Sequence, residues 1–116
     1  MEKECIFCKI SNGEVKSEKV KESSNFFAIR DIYPVRAGHT LVIPKQHYDS
    51  LLDLPDELGN ELVQFLKEVA QDLIKDGYGD GFNVLINNFE SAGQVIKHAH
   101  IHVIPRKKQD GLRLIA

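Results

Sequence analysis

The chain has 116 residues, 42% of them hydrophobic and 28% charged, with a formal net charge of -2 at pH 7. That length suits one domain spanning residues 1 to 116, and the charge excludes the basic face that a long nucleic acid requires, leaving small nucleotides open. No run approaches the ~20 apolar residues that cross a bilayer, and Met1-Glu2-Lys3-Glu4 lacks an apolar signal segment, so a cytoplasmic protein without membrane contact is expected.

In chain order, the only two cysteines, Cys5 and Cys8, form a CxxC pair, a spacing that suits metal or redox use better than a disulfide framework. Ile6, Phe7 and Ile10 fit a short helical turn docked on a sheet and ended by Asn12-Gly13. Residues 14 to 24 are charged and serine-rich, with Val20 the inward anchor of a short edge strand. Phe26 to Ile32 read as a strand stopped by Tyr33-Pro34, and His39 to Pro44 read as its antiparallel partner, rich in β-branched residues. Lys45 to Asp53 form a loop carrying His47.

Leu54-Pro55-Asp56-Glu57 opens the main helix, since proline and acids both favour a first turn. Leu58, Leu62, Phe65, Leu66, Val69, Leu73 and Ile74 keep one apolar stripe as far as the stop at Asp76-Gly77. Phe82 to Asn87 are a further strand, and Asn88 to Gln94 a polar loop. Arg106 to Asp110 read as solvated. The expected class is α+β: an antiparallel five-stranded sheet with one long helix and a short N-terminal helix.

The densest chemistry is His98-Ala99-His100-Ile101-His102. Alternation of imidazole with apolar side chains makes sense on a strand, where it gathers histidine on one face and packs Ala99, Ile101 and Val103 inward. A polar face that is merely histidine-rich is the bland alternative. Imidazole is the side chain best suited to nucleophilic, acid-base or ligand work near neutral pH. A neutral imidazole attacks phosphorus well if its other nitrogen donates to a fixed acceptor, and His100, flanked by two more imidazoles, is best placed.

HAHIHVI resembles the signature of the histidine-triad nucleotide-binding proteins. DIYPVRAGHTLVIPKQH, residues 31 to 47, is similar to that family's second block, and the glycine and glutamine of AGQ stand before the triad as they do there. The leading CIFCKI resembles the Hint branch and its bacterial and archaeal relatives.

The resemblance implies a nucleotide hydrolase or transferase acting at an α-phosphate, with His100 as nucleophile, His102 donating to a phosphate oxygen and His39 orienting the array. It places Asp31 on the ribose hydroxyls, Ile6, Phe7, Ile29 and Ile32 around the base, Asn87 near ribose and phosphate, and Gly93, Gln94 and Val95 at the phosphate. Val95 departs from the pattern, which has serine or threonine there, so a hydroxyl that could reach the leaving group is missing. The resemblance also implies a homodimer with one continuous sheet, and a structural zinc held by Cys5, Cys8, His47 and His98. Two buried reduced cysteines, or a redox pair, are the alternatives at that site. Two other functions remain open: a nucleotide-binding module without turnover, and a metalloenzyme whose catalytic metal sits on HxHxH and would take Glu90 as its carboxylate partner.

Overall fold

In a computed structural model, residues 4–114 are described, so Met1 to Lys3, Ile115 and Ala116 lie outside the described residues. Five strands form one antiparallel sheet: β1 (Lys19–Glu22), β2 (Phe26–Arg30), β3 (Thr40–Pro44), β4 (Gly81–Ile86) and β5 (Ile101–Arg106), in the order β1-β2-β3-β5-β4. α1 (Ile6–Ser11) and the long α2 (Gly59–Lys75) pack on opposite faces. Phe65, Val69, Ala70 and Leu73 of α2 cover Phe26, Ala28, Val42, Ile101 and Val103. On the other face Phe7 and Ile10 of α1 cover Phe27, Ile29, Leu41 and Ile43. A strand buried on both faces loses its polar alternation, which is why β2 and β3 are continuous apolar runs.

Several expectations about the elements change. Val20 is 42% exposed and anchors nothing, because the register runs Lys19↔Ile29 and then Lys21↔Ala28, leaving Val20 as the extra residue of a bulge. Lys19 instead lays its ammonium over the Phe27 ring at 5.2 Å, and Lys21 reaches Asp72 of α2 at 3.0 Å. The main helix does not open at Leu54: a residue before proline avoids the helical region, and Leu54 (ψ 126°) and Pro55 (ψ 138°) are both extended. Single 3-10 turns at Leu51–Asp53 and Asp56–Leu58 precede the α-helix proper.

β2 ends at Arg30, with Asp31 adding one more bond from its N–H to His39 O at 2.9 Å before the chain turns. The histidine segment is the last change. β5 begins only at Ile101, so His98 and His100 lie before the ladder, where the Ala99 N–H donates to Tyr48 O and the His98 N–H to Ile96 O. Ala99, Ile101 and Val103 are buried as expected, but the imidazole side is no open surface, since His98 and His100 are buried too.

Candidate active site and metal centre

The site is assembled where the segment entering β5 crosses β3 and the start of α1. His100 Nδ1 donates to His98 O at 2.8 Å, so the ring's lone pair is on Nε2. The Phe7 ring meets His100 edge-on at 5.1 Å and His98 at 5.6 Å, fixing both rings from the α1 side. The next ring, His102, is 5.2 Å from His100. Its Nδ1 faces His39 Nε2 at 2.9 Å, and His39 Nδ1 accepts from the Val35 N–H at 3.1 Å.

A nitrogen that accepts from an amide carries no proton, so in neutral His39 the proton is on Nε2. It then points to His102 Nδ1, with Asp31 Oδ2 a second, longer acceptor at 3.4 Å. His102 is thereby left with its own proton on Nε2. Burial, followed by the charges of His100 and His39, lowers the His102 pKa to about 4, and burial also lowers that of His39 against the pull of Asp31. Near neutral pH His39 and His102 are thus uncharged. The row presents one bare imidazole nitrogen and one imidazole N–H donor, a combination able to attack phosphorus and to donate to one of its oxygens.

A second cluster adjoins the first at His98. Cys5, Cys8, His47 and His98 have ligand atoms within 4.8 Å of one another. The Sγ to Nδ1 separations are 3.2 Å for Cys5–His98, 3.3 Å for Cys8–His47 and 3.5 Å for Cys8–His98. Zn–S bonds of about 2.3 Å and Zn–N bonds of about 2.0–2.1 Å at tetrahedral angles put sulfur and nitrogen about 3.5 Å apart, so the donor set fits zinc. The far nitrogens agree. His98 Nε2 donates to Pro44 O at 2.9 Å and His47 Nε2 to Asp49 Oδ1 at 2.9 Å, which leaves both Nδ1 lone pairs facing the thiols.

Asp31, His39 and His102 also converge closely enough for an ion. Their tautomers oppose it: the His39 Nδ1 lone pair already accepts from Val35, so coordination through Nε2 would require a fully deprotonated ring. Asp31, and not Glu90, is the carboxylate that reaches this histidine row.

Of the residues expected around a base, Phe7 and Ile29 sit in the α1-side core, Ile6 is half exposed beside them, and Ile32 stands 82% exposed beyond the end of β2. Asp31 Oδ1 accepts from the Tyr33 N–H at 3.0 Å, an Asx turn that fixes the carboxylate direction. The loop after β4 is stiff: Phe89 holds φ 74°, Gly93 holds φ 93°, and the Gln94 side chain accepts from Phe89 N while donating to Asp49 O and Ile96 O. Asn87 lies behind Gly93, its amide about 3.8 Å from where a Cβ would stand. The N–H groups of Ala92, Gly93 and Gln94 all bond within the loop. Val95 is 92% exposed.

Sequence reasoning missed Asp49, the Pro44 carbonyl and the Val35 N–H. Only Asp49 left a trace, a carboxylate two residues after His47; the other two are backbone groups that no side-chain pattern reports.

The HIT domain pattern matches residues 12–109. An adenylylsulfatase of Arabidopsis thaliana is 39% identical over 97% of this chain, which spans 57% of that longer protein. An adenosine 5'-monophosphoramidase of Candida albicans is 38% identical over 90% of this chain and 72% of its own length. Among solved structures, a zinc-bound histidine triad family protein of Mycobacterium smegmatis superposes with a TM-score of 0.90 at 36% identity, over 98% of this chain and 83% of that one. With the pattern covering most of the sequence and the same sheet and helices present, the chain belongs to the HIT domain family.

Proposed function

We propose that this protein is a single-domain nucleotide hydrolase that cleaves ribonucleotide conjugates at the α-phosphate through a nucleotidyl-His100 intermediate. The observation that carries the reading is the hydrogen bond that orients His100: Nδ1–H is held by the His98 carbonyl at 2.8 Å, leaving Nε2 as the nitrogen turned to act as nucleophile. His100 Nε2 forms a bond to the α-phosphorus as the bond to the leaving group breaks, and the departing group takes up a proton. Water then attacks the same phosphorus, the N–P bond breaks, and nucleoside monophosphate is released with His100 restored. The Nε2–H of His102 and the Val95 N–H stand to donate to phosphate oxygens as charge accumulates. Asp31 accepts from the ribose hydroxyls, with the base against Ile6, Phe7, Ile29 and Ile32 and the ribose edge near Asn87.

Relatives named as an adenylylsulfatase and a phosphoramidase share the α-phosphate and differ in the leaving group, which supports chemistry centred on phosphorus. Val95 offers no hydroxyl to a leaving group, so phosphoramidates, aminoacyl adenylates and dinucleoside polyphosphates all belong in the test. In the assay, each conjugate is mixed with enzyme, quenched within milliseconds and examined for nucleotide covalently attached to His100. A burst of leaving group with no labelled histidine would overturn the intermediate, and binding without release of monophosphate would favour a non-catalytic module.

Cys5, Cys8, His47 and His98 would hold zinc, and a bound ion would tie down the segment whose carbonyl holds His100. All four positions are filled by protein, so we assign it a structural role. We place the protein in the cytoplasm, where thiols that hold a metal stay reduced. β4 is an edge strand exposing Phe82, Val84 and Leu85, and its pairing with the same strand of a second copy would give the expected homodimer. Sedimentation should then report two chains.

A further inference from the structure

We propose that Arg36 is a positioning residue that fixes where the protons of the His39–His102 pair reside, acting through the turn that carries the Val35 N–H. The turn from Tyr33 to Gly38 lies outside the sheet, and its own backbone does little to hold it. The His39 N–H donates to Arg36 O at 3.1 Å, closing a four-residue turn with Gly38 at the third position and φ 93°. A side chain at Gly38 is excluded twice over, by that angle and by Tyr78, whose ring would lie 2.7 Å from an added Cβ.

The Arg36 side chain supplies the missing anchor. One guanidinium nitrogen donates to Pro105 O at 2.6 Å and to Tyr78 O at 3.3 Å, while Nε stands 3.7 Å from the Asp110 carboxylate. Asp110 is itself fixed. Its side chain is 6% exposed, it receives two bonds from Arg106, and it accepts the N–H groups of Lys107 and Leu112. The expectation of a solvated segment at 106 to 110 therefore holds at the exposed Lys107, Lys108 and Gln109 and fails at its ends, where Asp110 binds two arginines and the tail to the end of β5.

One guanidinium nitrogen shared by two carbonyls, with Nε turned toward the Asp110 carboxylate, holds the loop from two sides, where a single flexible contact would let it rock. Here the geometry matters because Val35 N–H is the donor that makes His39 Nδ1 an acceptor. Displacing Val35 by an ångström breaks that bond, after which the proton of neutral His39 can occupy Nδ1. His39 Nε2 could then only accept, His102 would have to donate from Nδ1, and its Nε2 would no longer carry the proton meant for a phosphate oxygen. Arg36 touches neither substrate nor the reacting atoms; it acts through Val35, His39 and His102 in sequence.

The inference rests on the proposed hydrolysis for its catalytic consequence, but the tautomers can be read without turnover. Long-range proton–nitrogen correlation spectra of ¹⁵N-labelled protein at pH 7 should show the proton of both His39 and His102 on Nε2. In Arg36→Ala a signal from His39 protonated at Nδ1 should appear, kcat on adenosine monophosphoramidate should fall about tenfold or more, and the Kd for adenosine monophosphate should change less than threefold. Arg36→Lys, which keeps a charged donor but loses the planar guanidinium that faces the carbonyls and the carboxylate together, should fall between.

Asp110→Asn keeps both carbonyl bonds of Arg36 and its size, so it should shift the same signals more weakly, and it decides the matter if Arg36→Ala does not fold. His39 protonated at Nδ1 in the wild type overturns the proposal. So do wild-type spectra in both Arg36→Ala and Asp110→Asn, or a shifted tautomer with kcat unchanged. If the wild type cleaves no nucleotide conjugate, the hydrolase reading fails while the spectra still decide the proton positions.

Discussion

The two histidine clusters share a segment and differ in what grips the far side of each ring. In the Cys5, Cys8, His47 and His98 group, the nitrogens turned away from the centre donate to Pro44 O and Asp49, which leaves lone pairs converging on the thiols. In the His39, His100 and His102 row, His100 donates to His98 O, but His39 accepts from Val35, so a proton and not a lone pair is handed along to His102. On the proposed reading, one residue type thus serves a cation site in one place and a site for an anionic phosphate in the other. Fixing the second hydrogen bond of an imidazole fixes what the first can do.

The largest expected break is at the nucleophile. His100→Ala should reduce turnover by at least about a thousandfold, roughly 4 kcal/mol of transition-state stabilisation, while monophosphate affinity and melting temperature stay near wild type. Turnover within tenfold of wild type would remove His100 from that role. Cys5→Ser should act the opposite way. Zinc content, measured by elemental analysis, should drop from about one per chain, and the melting temperature by ~10 °C or more, as expected for loss of a few kcal/mol in a domain of this size. Activity per folded molecule should fall much less; chelation that stops turnover at once with an unchanged melting temperature would make the metal catalytic.

A pH titration sharpens the contrast inside the row. His102 has a folded pKa of about 4 against an unfolded value near 6.5, so between these the unfolded chain binds a proton that the folded one refuses. Stability from this group is therefore full above pH 6.5 and is lost as pH falls towards 4. Urea unfolding at pH 7.5 and pH 5 should show the wild type losing about 2 kcal/mol more than His102→Asn over that interval. Parallel losses would mean that the ring is not buried in neutral form.

The smallest effect concerns the support of a ligand. Asp49→Ala removes the carboxylate on His47 Nε2 and should weaken zinc binding about 10- to 100-fold in competition with a chelator, with kcat unchanged at saturating zinc. Equal zinc affinity in the variant would mean that Asp49 does not orient His47.

Much of the architecture was legible because it rests on side-chain periodicity. The stripe from Leu58 to Leu73 and the apolar runs at 26 to 29 and 40 to 44 each declare a buried face, and the elements lie there, while Ile74, expected to extend the stripe, is 40% exposed. Legibility failed where one local rule overrode another. Leu54-Pro55 looked like a helix start, yet the proline kept the residue before it extended and delayed the α-helix to Gly59. Val20 looked like an anchor until a bulge turned it outward.

By itself, the sequence determined the fold class, the family and the inventory of reactive groups, since these depend on residue types and their spacing along one chain. Only the tertiary structure decided what each histidine can do. The partners that set the tautomers are largely backbone groups: His98 O for His100, Pro44 O for His98 and Val35 N–H for His39. Every residue carries such groups, so their presence in a sequence says nothing. Their direction is fixed by how β3, the turn at 33 to 38 and the start of β5 meet, and Arg36 and Asp110 join that arrangement from a turn and a loop in which residue spacing gives neither side chain a role.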